Sequence, residues 1–313
     1  MKRQDINIEI GQYEFGFAHA LKVESSWENL TDVATIQVPR KLAFNGKAVA
    51  QGDSLFRKGD RVTVKVGYDS ELDTIFEGNV SAIKPLLPMA FDCQDDMWLL
   101  KQSNFNLSYK SATIKQILSD ISPIPFQSVD GNLGPFRISD VSGAQVLQEL
   151  RRVYGLHSFI RSGTLFCGLA YWGDGATHTF KFGHHIIEEY TNLEYLKKED
   201  IRLAIKAVSI LPNNQKIEVK VGDDGGEVRT LPFLGMDQAQ LTATAEKHLE
   251  KFRIEGYKGS FSTFGQPSVM HGDTVELIDD TYPDRNGKYL VKSVRYSAGV
   301  NGYRQKIELD QKV

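Results

Sequence analysis

His178, His184 and His185 lie close to Asp174 in the sequence and have the residue types of a metal site. Imidazole and carboxylate groups are usual ligands of zinc and similar ions. If this segment is a strand, however, the adjacent His184 and His185 point to opposite faces, so only one of them can join His178. A solvated loop is the default interpretation of these residues, and we expect no metal site here.

Two pairs of adjacent carboxylates, Asp95-Asp96 and Glu188-Glu189, invite comparison with a glycosidase. A glycosidase needs two carboxyl groups that face each other across a cleft at a defined separation. Residues that are adjacent in sequence do not supply that geometry by themselves. We expect neither pair to be catalytic, and a cell-wall-degrading glycosidase stays open as an alternative function.

Other short motifs of catalysis and ligand binding are incomplete. The glycine-rich segment 222–226 lacks the Lys-Ser/Thr pair and the helix start of a phosphate-binding loop. The sequence contains no Gly-x-Ser-x-Gly motif, and neither Cys93 nor Cys167 has a local pattern that would activate its thiol. The sequence thus predicts a protein that is not an enzyme and that binds no cofactor.

The acidic segment 279–287, with the sequence DDTYPDRNG, offers several oxygen ligands and ends like the calcium-binding loop of an EF-hand. In that alignment, however, Tyr282 would occupy the first ligand position and Ser293 the bidentate position. A polar hairpin turn closed by Asn286-Gly287 explains every residue. We therefore expect a turn and no calcium site.

Composition is that of an ordinary globular protein with room for two or three domains. The chain has 313 residues, of which 41% are hydrophobic and 25% charged. Its 37 Lys and Arg against 40 Asp and Glu give a net charge of -3, which argues against nucleic-acid binding through a strongly basic surface. The start alternates polar and apolar residues and resembles no secretory signal, so we expect no membrane anchor.

Two segments near the two ends of the chain resemble each other, because each opens with Gly-Asp and then alternates apolar and polar residues. Such alternation is the period of a half-buried strand. In the second segment Asn286-Gly287 separates the apolar runs, which is a strong short-range indication of a hairpin. Two such segments predict two related barrels. Their apolar positions are Val62, Val64, Val66, Phe76, Val80 and Ile83 in the first and Val275, Leu277, Tyr289, Val291 and Val294 in the second.

The order of patterns predicts an α+β, β-rich fold in three parts. Residues 1–90 are expected to form a first small β-barrel, and residues 171–313 a second one with a helix at about 237–255. Between them, residues 91–170 are expected to form a compact α+β module. Its two helices are indicated by apolar stripes from Ile114 to Ile121 and from Val146 to Val153.

Four stretches together resemble one protein family. They are ALKVESSWENLTDVATIQVPRK, FRKGDRVTVKVGYDSELDTIFEGNVSAI, the helix-led segments SATIKQILSDI and SGAQVLQELRRVYGLHSFIRSGTLFCG, and a closing segment from LTATAEKHLEKF to NGYRQKIEL. Their order is similar to that in baseplate hub proteins of contractile phage tails, of the Mu-like 43-kDa tail protein and late control D type. The N-terminal region of type VI secretion spike-hub proteins is related to these.

The resemblance implies a structural role in a virion. It implies a homotrimer whose two barrels per subunit give six in a ring, which matches a hexameric tail tube to a trimeric spike. It also implies a channel through which DNA passes without specific binding, and synthesis in the cytoplasm of a bacterial host. Related secretion spikes often continue into further domains, whereas this sequence ends at Val313, so we expect the spike to be a separate polypeptide.

The turns of the two hairpins are the candidate assembly contacts. Edge strands and exposed loops of such barrels can join subunits without any chemistry. A carbohydrate-binding tail component is a further alternative, and it would place Trp27, Trp98 or Trp172 on one open face. We expect these tryptophans to be core or interface residues. The six candidate contact residues are Tyr68, Asp69, Asp73, Tyr282, Asp284 and Asn286.

Overall fold

The computed structural model of the protein describes residues 3–39, 42–44, 47–49, 55–85, 87–171, 175–211 and 215–313. For residues 42–44, 47–49, 188–190 and 234 it describes the backbone alone. The three α-helices in these ranges are α1 (Ile114–Ile121), α2 (Gly143–Tyr154) and α3 (Gln238–Phe252). The strands are β1 (Gln4–Ile10), β2 (Tyr13–Phe15), β3 (Ala20–Ser26), β4 (Val33–Val38), β5 (Leu42–Phe44), β6 (Lys47–Val49), β7 (Arg61–Tyr68), β8 (Glu71–Lys84), β9 (Met89–Gln94), β10 (Asn104–Thr113), β11 (Phe126–Ser128), β12 (Asn132–Ser142), β13 (His157–Arg161), β14 (Thr164–Gly168), β15 (Thr177–Lys181), β16 (Ile186–Leu196), β17 (Leu203–Ile210), β18 (Lys216–Gly222), β19 (Glu227–Leu234), β20 (Gly256–Phe264), β21 (Thr274–Ile278), β22 (Gly287–Gly299) and β23 (Arg304–Lys312).

Thirteen strands from both ends of the chain form one continuous sheet. Its strand order is β16-β20-β23-β22-β3-β4-β9-β8-β7-β1-β2, with β21 paired to β22 and β15 paired to β21. The strands alternate buried apolar and exposed polar residues, as predicted; Val62, Val64 and Val66 of β7 are fully buried. The two ends of the sequence therefore share one framework.

The sheet contains the same five-strand unit twice. In the first unit the strands follow the order β3-β4-β9-β8-β7, and in the second the order β16-β20-β23-β22-β21. Corresponding strands also succeed one another in the same order along the chain. The predicted duplication is thus confirmed as a shared topology, which covers five strands and not only the two hairpin strands that the sequence indicated.

The two units also share one irregularity. In the first, Val80 pairs with Cys93 and Ala82 with Asp92, so that Ser81 is bulged out. In the second, the matching pairs are Val291 with Leu309 and Ser293 with Glu308, with a register shift at the same place. A β-bulge re-aims a strand and is a specific local feature. Its recurrence shows that the two units match in register at this point as well as in strand order.

The units differ at their outer strand and in their insertions. The flanking strand of the first unit is β1, which is antiparallel to β7, whereas that of the second is β15, which is parallel to β21. The second unit carries an insertion between β16 and β20, in which α3 packs on a small sheet of order β18-β17-β19. Leu203, Ile205 and Leu241 form the separate core of this insertion.

A compact α+β module lies between the units in sequence and has a core of its own. Both of its helices begin with a capping box, in which Thr113 and Ser142 each bond to a glutamine three residues later. Gly155 ends α2 in the left-handed conformation, with φ 71°. The predicted apolar stripes form the core of the module, which confirms both helices; α3 also falls where it was expected.

These observations confirm a β-rich α+β fold. Within the described residues, however, the strand path of the large sheet is open at β16 and β2, and neither unit closes into a ring of hydrogen-bonded strands. One hydrophobic core also includes residues from both units, such as Phe91 and Tyr289. None of the described helices is long and apolar enough to cross a membrane.

Candidate assembly interface

Each unit begins its hairpin with a Gly-Asp turn, and the two turns have the same hydrogen bonds. In the first, the Gly59 amide donates to the Val80 carbonyl at 2.8 Å, and the Val80 amide donates to the Asp60 carbonyl at 2.9 Å. In the second, Gly272, Asp273 and Val291 repeat this pattern at 2.9 and 2.8 Å. Both glycines have positive φ, 94° and 82°, which favours glycine at this position.

The middle module contacts both turns through large side chains. A Cβ atom at Gly59 would lie 3.1 Å from the ring of Trp98, and one at Gly272 would lie 3.1 Å from an Nη atom of Arg161. Arg61, which follows the first turn, forms an ion pair with Asp96 at the start of the module. The module thus holds the two units at equivalent points, although it uses different residues at each.

The second turn carries a buried ion network that the first lacks. Asp273 accepts hydrogen bonds from Arg161 at 2.6 Å and from the Met270 and Ala176 amides, and His178 Nε2 lies 3.1 Å from its Oδ2. Burial alone would raise the pKa of Asp273, but the bonds from His178, Met270 and Arg161 outweigh it and lower that pKa. Asp273 therefore stays ionised as a structural anchor.

The first candidate contact loop is held from within the chain. Asp69 and Ser70 both have positive φ, and their turn bonds to the N-terminal strand: the Arg3 amide donates to Asp69 Oδ1 at 3.0 Å, and the Ser70 amide donates to Asp5 Oδ2 at 2.8 Å. Tyr68 is buried. Asp69 and Asp73 are exposed, so these two are the members of this loop that a partner could touch.

The second candidate contact loop is closed by its own side chains. Asn286 Oδ1 accepts from the Asp279 amide at 2.7 Å, and Asp279 Oδ1 accepts from the Thr281 and Tyr282 amides. The expected hairpin is confirmed, but its turn extends from residue 279 to residue 286, because the backbone of Asn286 is extended and Pro283 begins a short 3-10 helix. Tyr282 and Asp284 are exposed, and Asn286 is half-buried.

Ser25, His271 and Asp32 lie together, but in an order that does not suit nucleophilic catalysis. Ser25 Oγ donates to Asp32 Oδ2 at 2.5 Å and lies 2.8 Å from His271 Nδ1. When Asp32 is ionised, the single hydroxyl hydrogen of Ser25 goes to its carboxylate, so His271 Nδ1 is then the donor to Ser25 and does not take its proton. Burial and the nearby Arg161 lower the pKa of His271 to about 4, so the ring is neutral at pH 7.

The two carboxylates of the Asp95-Asp96 pair bond to different partners. Asp95 accepts from the Asp32 and Met97 amides, whereas Asp96 accepts from Arg61 and Asn79. Burial raises the pKa of Asp95 well above its usual range, and the neighbouring Asp32 raises it further. The side chains of Glu188 and Glu189 lie outside the described part of the chain.

Within the described part of the chain, the remaining motifs do not assemble into a ligand site. His178 bonds to Asp273, whereas His185 accepts from the Lys181 amide, and Asp174 lies outside the described residues. Within the described ranges, no three histidine, cysteine or acidic side chains converge as metal ligands would. The glycine-rich segment 222–226 is a turn, in which Asp223 accepts from the Leu203 amide.

A shallow depression of about 430 Å³ near the insertion has two acidic residues in its lining. It is lined by Lys198, Glu199, Ile201, Arg202, Asp223 and Arg253. The Leu203 amide and Arg253 lower the pKa of Asp223. The acid of a glycosidase needs a raised pKa, so Asp223 does not suit that role.

The described tryptophans do not form an open sugar-binding face. Trp27 Nε1 donates to the Tyr171 hydroxyl at 2.9 Å, and its ring packs against His157 with centroids 4.9 Å apart. Trp98 lies over Gly59. Both side chains are half-buried contacts between parts of the chain, as expected; Trp172 lies outside the described residues.

The junction of the two units was not predicted from the sequence. Residues 293–299 of β22 pair with residues 20–26 of β3 in seven antiparallel pairs. Arg295 Nε lies 3.4 Å from Glu24 Oε1 on the outer face of this junction. The sequence contained one signal of this junction. The alternation of apolar and polar residues after Asn286-Gly287 continues well beyond the residues that pair with β21.

The fold is similar to that of solved tail proteins. A tail protein from Neisseria meningitidis MC58 has a TM-score of 0.62 and 16% identity, over 98% of this chain and 96% of that one. The prophage MuSo2 43-kDa tail protein from Shewanella oneidensis has a TM-score of 0.61 and 14% identity, over 98% of both chains. This chain has the fold of a phage tail protein.

A third similar structure comes from a secretion system. The E. coli c3393 protein, described as a type VI secretion component with structural similarity to the T4 tail proteins gp27 and gp5, has a TM-score of 0.60 and 11% identity, over 97% of this chain and 76% of that one. No family profile matches the sequence, and comparison with curated protein sequences finds no match either. At such low identity the likeness concerns the fold.

Proposed function

We propose that this protein is the structural hub of a phage-type tail, a homotrimer that adapts a hexameric tail tube to a trimeric spike. The observation that carries the proposal is the duplicated five-strand unit with its matching bulge. Two equivalent units in each of three subunits produce six similar positions around a three-fold axis. A single chain can therefore match six-fold symmetry on one side and three-fold symmetry on the other.

The structural neighbours support a role in a tail assembly. Two of them are described as tail proteins and a third as a type VI secretion component. In the proposal, each five-strand unit with its flanking strand forms one barrel-like segment of the wall. These segments are the domains expected at 1–90 and 171–313, of which the first extends to Gln94 at the end of β9, and the module between them continues to about residue 170. The family proposed is the baseplate hub family of the Mu-like 43-kDa and late control D type.

The proposed partners are a second and third copy of the chain, a tail tube protein and a separate spike protein. DNA would pass through the central channel without being held, in keeping with a net charge of -3. The exposed Asp69, Asp73, Tyr282 and Asp284 are the proposed contacts with the neighbouring rings. The protein would act in the virion after synthesis in the bacterial host, without catalysis or cofactor.

Mass measurement of the purified protein in solution tests the proposal. Light scattering and native mass spectrometry are expected to give three times the 35.1-kDa chain mass, about 105 kDa. Electron microscopy of that species is expected to show a ring with near-six-fold density around a three-fold axis. A stable monomer or dimer at micromolar concentration would contradict the trimer, and release of sugars from cell-wall material would favour the glycosidase alternative.

A further inference from the structure

The pairing of the two units within one chain is a template for a contact between two copies of the chain. Within the chain, the outer edge of β3 in the first unit is covered by β22 of the second unit. By the equivalence of the units, β16 corresponds to β3, and β8 corresponds to β22. If every unit in a ring used the same contact, β16 would be covered by β8 of another copy.

Both of these edges are free in the described part of the chain. Strand β16 pairs with β20 on one side only. Strand β8 pairs with β9 through residues 79–84, but its pairing with β7 stops at Asn79. Residues 82–84 of β8 therefore expose backbone donors and acceptors on the side where β22 binds β3. Unpaired edges of this kind are natural sites for the addition of a strand.

We infer that β8 of one copy pairs with β16 of the next copy, antiparallel and in the register that β22 and β3 use within the chain. The inference rests on the proposed trimer and specifies how its subunits join. Three pairings within chains would then alternate with three pairings between chains. This alternation closes a ring of six units.

The register follows from the matched residue pairs. The pair Ser293 with Ser26 corresponds to Ala82 with Leu196, and the next pair, Val294 with Ser25, corresponds to Ile83 with Tyr195. The third pair, Arg295 with Glu24, corresponds to Lys84 with Glu194. These assignments follow from the strand pairings within the two units. The residue pairs of β22 with β23 match those of β8 with β9, and the pairs of β16 with β20 match those of β3 with β4.

Charge and burial agree with this register. In the template, Arg295 and Glu24 are both exposed and form an ion pair on the outer face. In the proposed contact, Lys84 and Glu194 are both exposed and have opposite charges. Ile83 and Tyr195, which would lie on the inner face, are both half-buried already. A register shifted by one residue would place Lys84 opposite an inward-facing side chain.

The candidate contact loop of the second unit lies beside this edge. Arg285 stacks on the ring of Tyr195 at 5.2 Å and on that of Tyr282 at 4.1 Å. The loop would therefore line the rim of the contact between copies. Tyrosine and arginine are the residue types that most often dominate the binding energy of protein interfaces.

The contact between copies would be shorter than its template. Pro85 follows Lys84 and cannot donate a backbone hydrogen bond, so the ladder is limited to three residue pairs instead of seven. Proline also protects an exposed edge from unspecific strand addition. The copies would accordingly dissociate more easily than the units within one chain, which share a hydrophobic core.

Cross-linking between two different variants tests the register directly. One preparation carries Lys84→Cys and the other Glu194→Cys, and the two are mixed and oxidised. Directly opposed residues of an antiparallel pair have Cα atoms about 4.5–5.5 Å apart, within the roughly 4.4–6.8 Å that a disulfide spans. The native Cys93 and Cys167 are buried and free. The expected result is a disulfide-linked pair of chains that contains one of each variant.

A matched control replaces the exposed Lys110 of the middle module by cysteine and mixes it with Glu194→Cys. This pair is expected to give at most about a tenth of the cross-linked product. A trimer that forms without the 84–194 cross-link, or with equal cross-linking of the control, would overturn this inference and leave the hub proposal standing. A protein that stays monomeric and gives no cross-link would overturn both.

Charge reversal provides a second test without cysteines. Lys84→Glu or Glu194→Lys alone replaces an attraction by a repulsion and is expected to weaken trimer formation at least about fivefold. The double variant is expected to restore it. Lys84 also pairs with Asp92 of its own chain, and Glu194→Lys on another copy cannot repair that loss. The contact is therefore read from the difference between Lys84→Glu and the double variant: stronger trimer formation in the double variant supports it, and equal trimer formation in the two counts against it.

Discussion

The Tyr68 hydroxyl donates a hydrogen bond of 2.9 Å to the backbone carbonyl of Tyr303, and the two rings lie 5.8 Å apart. Tyr68 ends the inner hairpin strand of the first unit, and Tyr303 precedes the last strand of the second. The contact joins residues 235 positions apart in sequence. It ties the turn of one unit to the opposite side of the shared core.

Tyr68→Phe is expected to lower the free energy of unfolding by about 1 kcal/mol, the net contribution of one buried hydrogen bond. The loss stays modest because Arg304 also donates to the Tyr303 carbonyl, at 2.8 Å. Urea denaturation measures it. Tyr282→Phe, at an exposed site, is expected to change stability by less than about 0.5 kcal/mol. An equal loss in both variants would show that the hydroxyl of Tyr68 plays no special part.

The aspartates of the two Gly-Asp turns are expected to contribute differently to stability, although the backbones of the turns match. Asp273→Ala removes four hydrogen bonds and leaves Arg161 without its buried partner, so we expect a loss of about 3–5 kcal/mol. Asp60→Ala removes a single bond from the Arg57 amide and is expected to cost about 1 kcal/mol. Thermal and urea denaturation of the pair measure the difference. Similar losses would contradict the anchoring role of Asp273.

The Asp32 carboxyl predicts a dependence of stability on pH. Burial raises its pKa to about 7, against the opposing hydrogen bonds from Ser25 and Ser26. The folded state therefore keeps a proton that the unfolded state has lost, and stability falls between about pH 4 and pH 7 by up to about 1.4 kcal/mol per pH unit. Burial also raises the pKa of Asp95, which contributes its own part of the decline, so Asp32→Asn is expected to lessen the decline and not to abolish it.

The control for this experiment is Asp130→Asn, because Asp130 is exposed in a loop of the middle module. Its stability is expected to follow that of the native protein at every pH. Urea titrations at pH 5, 6, 7 and 8 compare the three proteins. If Asp32→Asn declines with pH as steeply as the native protein, the carboxyl of Asp32 is not the source of the dependence.

Gly78 is expected to be intolerant of any side chain. A Cβ atom there would lie 2.1 Å from the Gln94 carbonyl oxygen, so the backbones of β8 and β9 would have to separate. Gly78→Ala is expected to cost more than about 2 kcal/mol. Gly16→Ala is the matched control, because its nearest neighbour, the Ile6 carbonyl oxygen, would be 4.0 Å away. Calorimetry on both variants should separate them by several degrees.

Local patterns in the sequence predicted the elements whose stabilisation is local. The alternation of Val62, Val64 and Val66 marks a strand with one buried face, and Thr113 and Ser142 mark helix starts through their capping boxes. The eight-residue turn before Gly287 was not predicted, because the side chains of Asp279 and Asn286 build it together. A two-residue Asn-Gly turn would need positive φ at Asn286, which has φ -58°.

The candidate interface could be predicted only in part. The turns at 68–73 and 279–286 stand out as polar interruptions between apolar runs. Lys84 and Glu194 carry no such signal, because a charged residue on a strand is ordinary until the neighbouring strand is known. The pairing of β3 with β22 connects distant parts of the chain, and no local periodicity specifies that partnership.

The late position of β22 in the sequence affects the folding of the protein during its synthesis. Its partner β3 leaves the ribosome roughly 270 residues earlier, which at about 5–20 residues per second amounts to about 15–50 s of translation. Throughout that interval the edge of β3 that β22 will cover is unpaired, and strands of other molecules can add to it and cause aggregation. Only the synthesis of β22 can cover this edge, so the newly made protein depends during this interval on dilution or on chaperones.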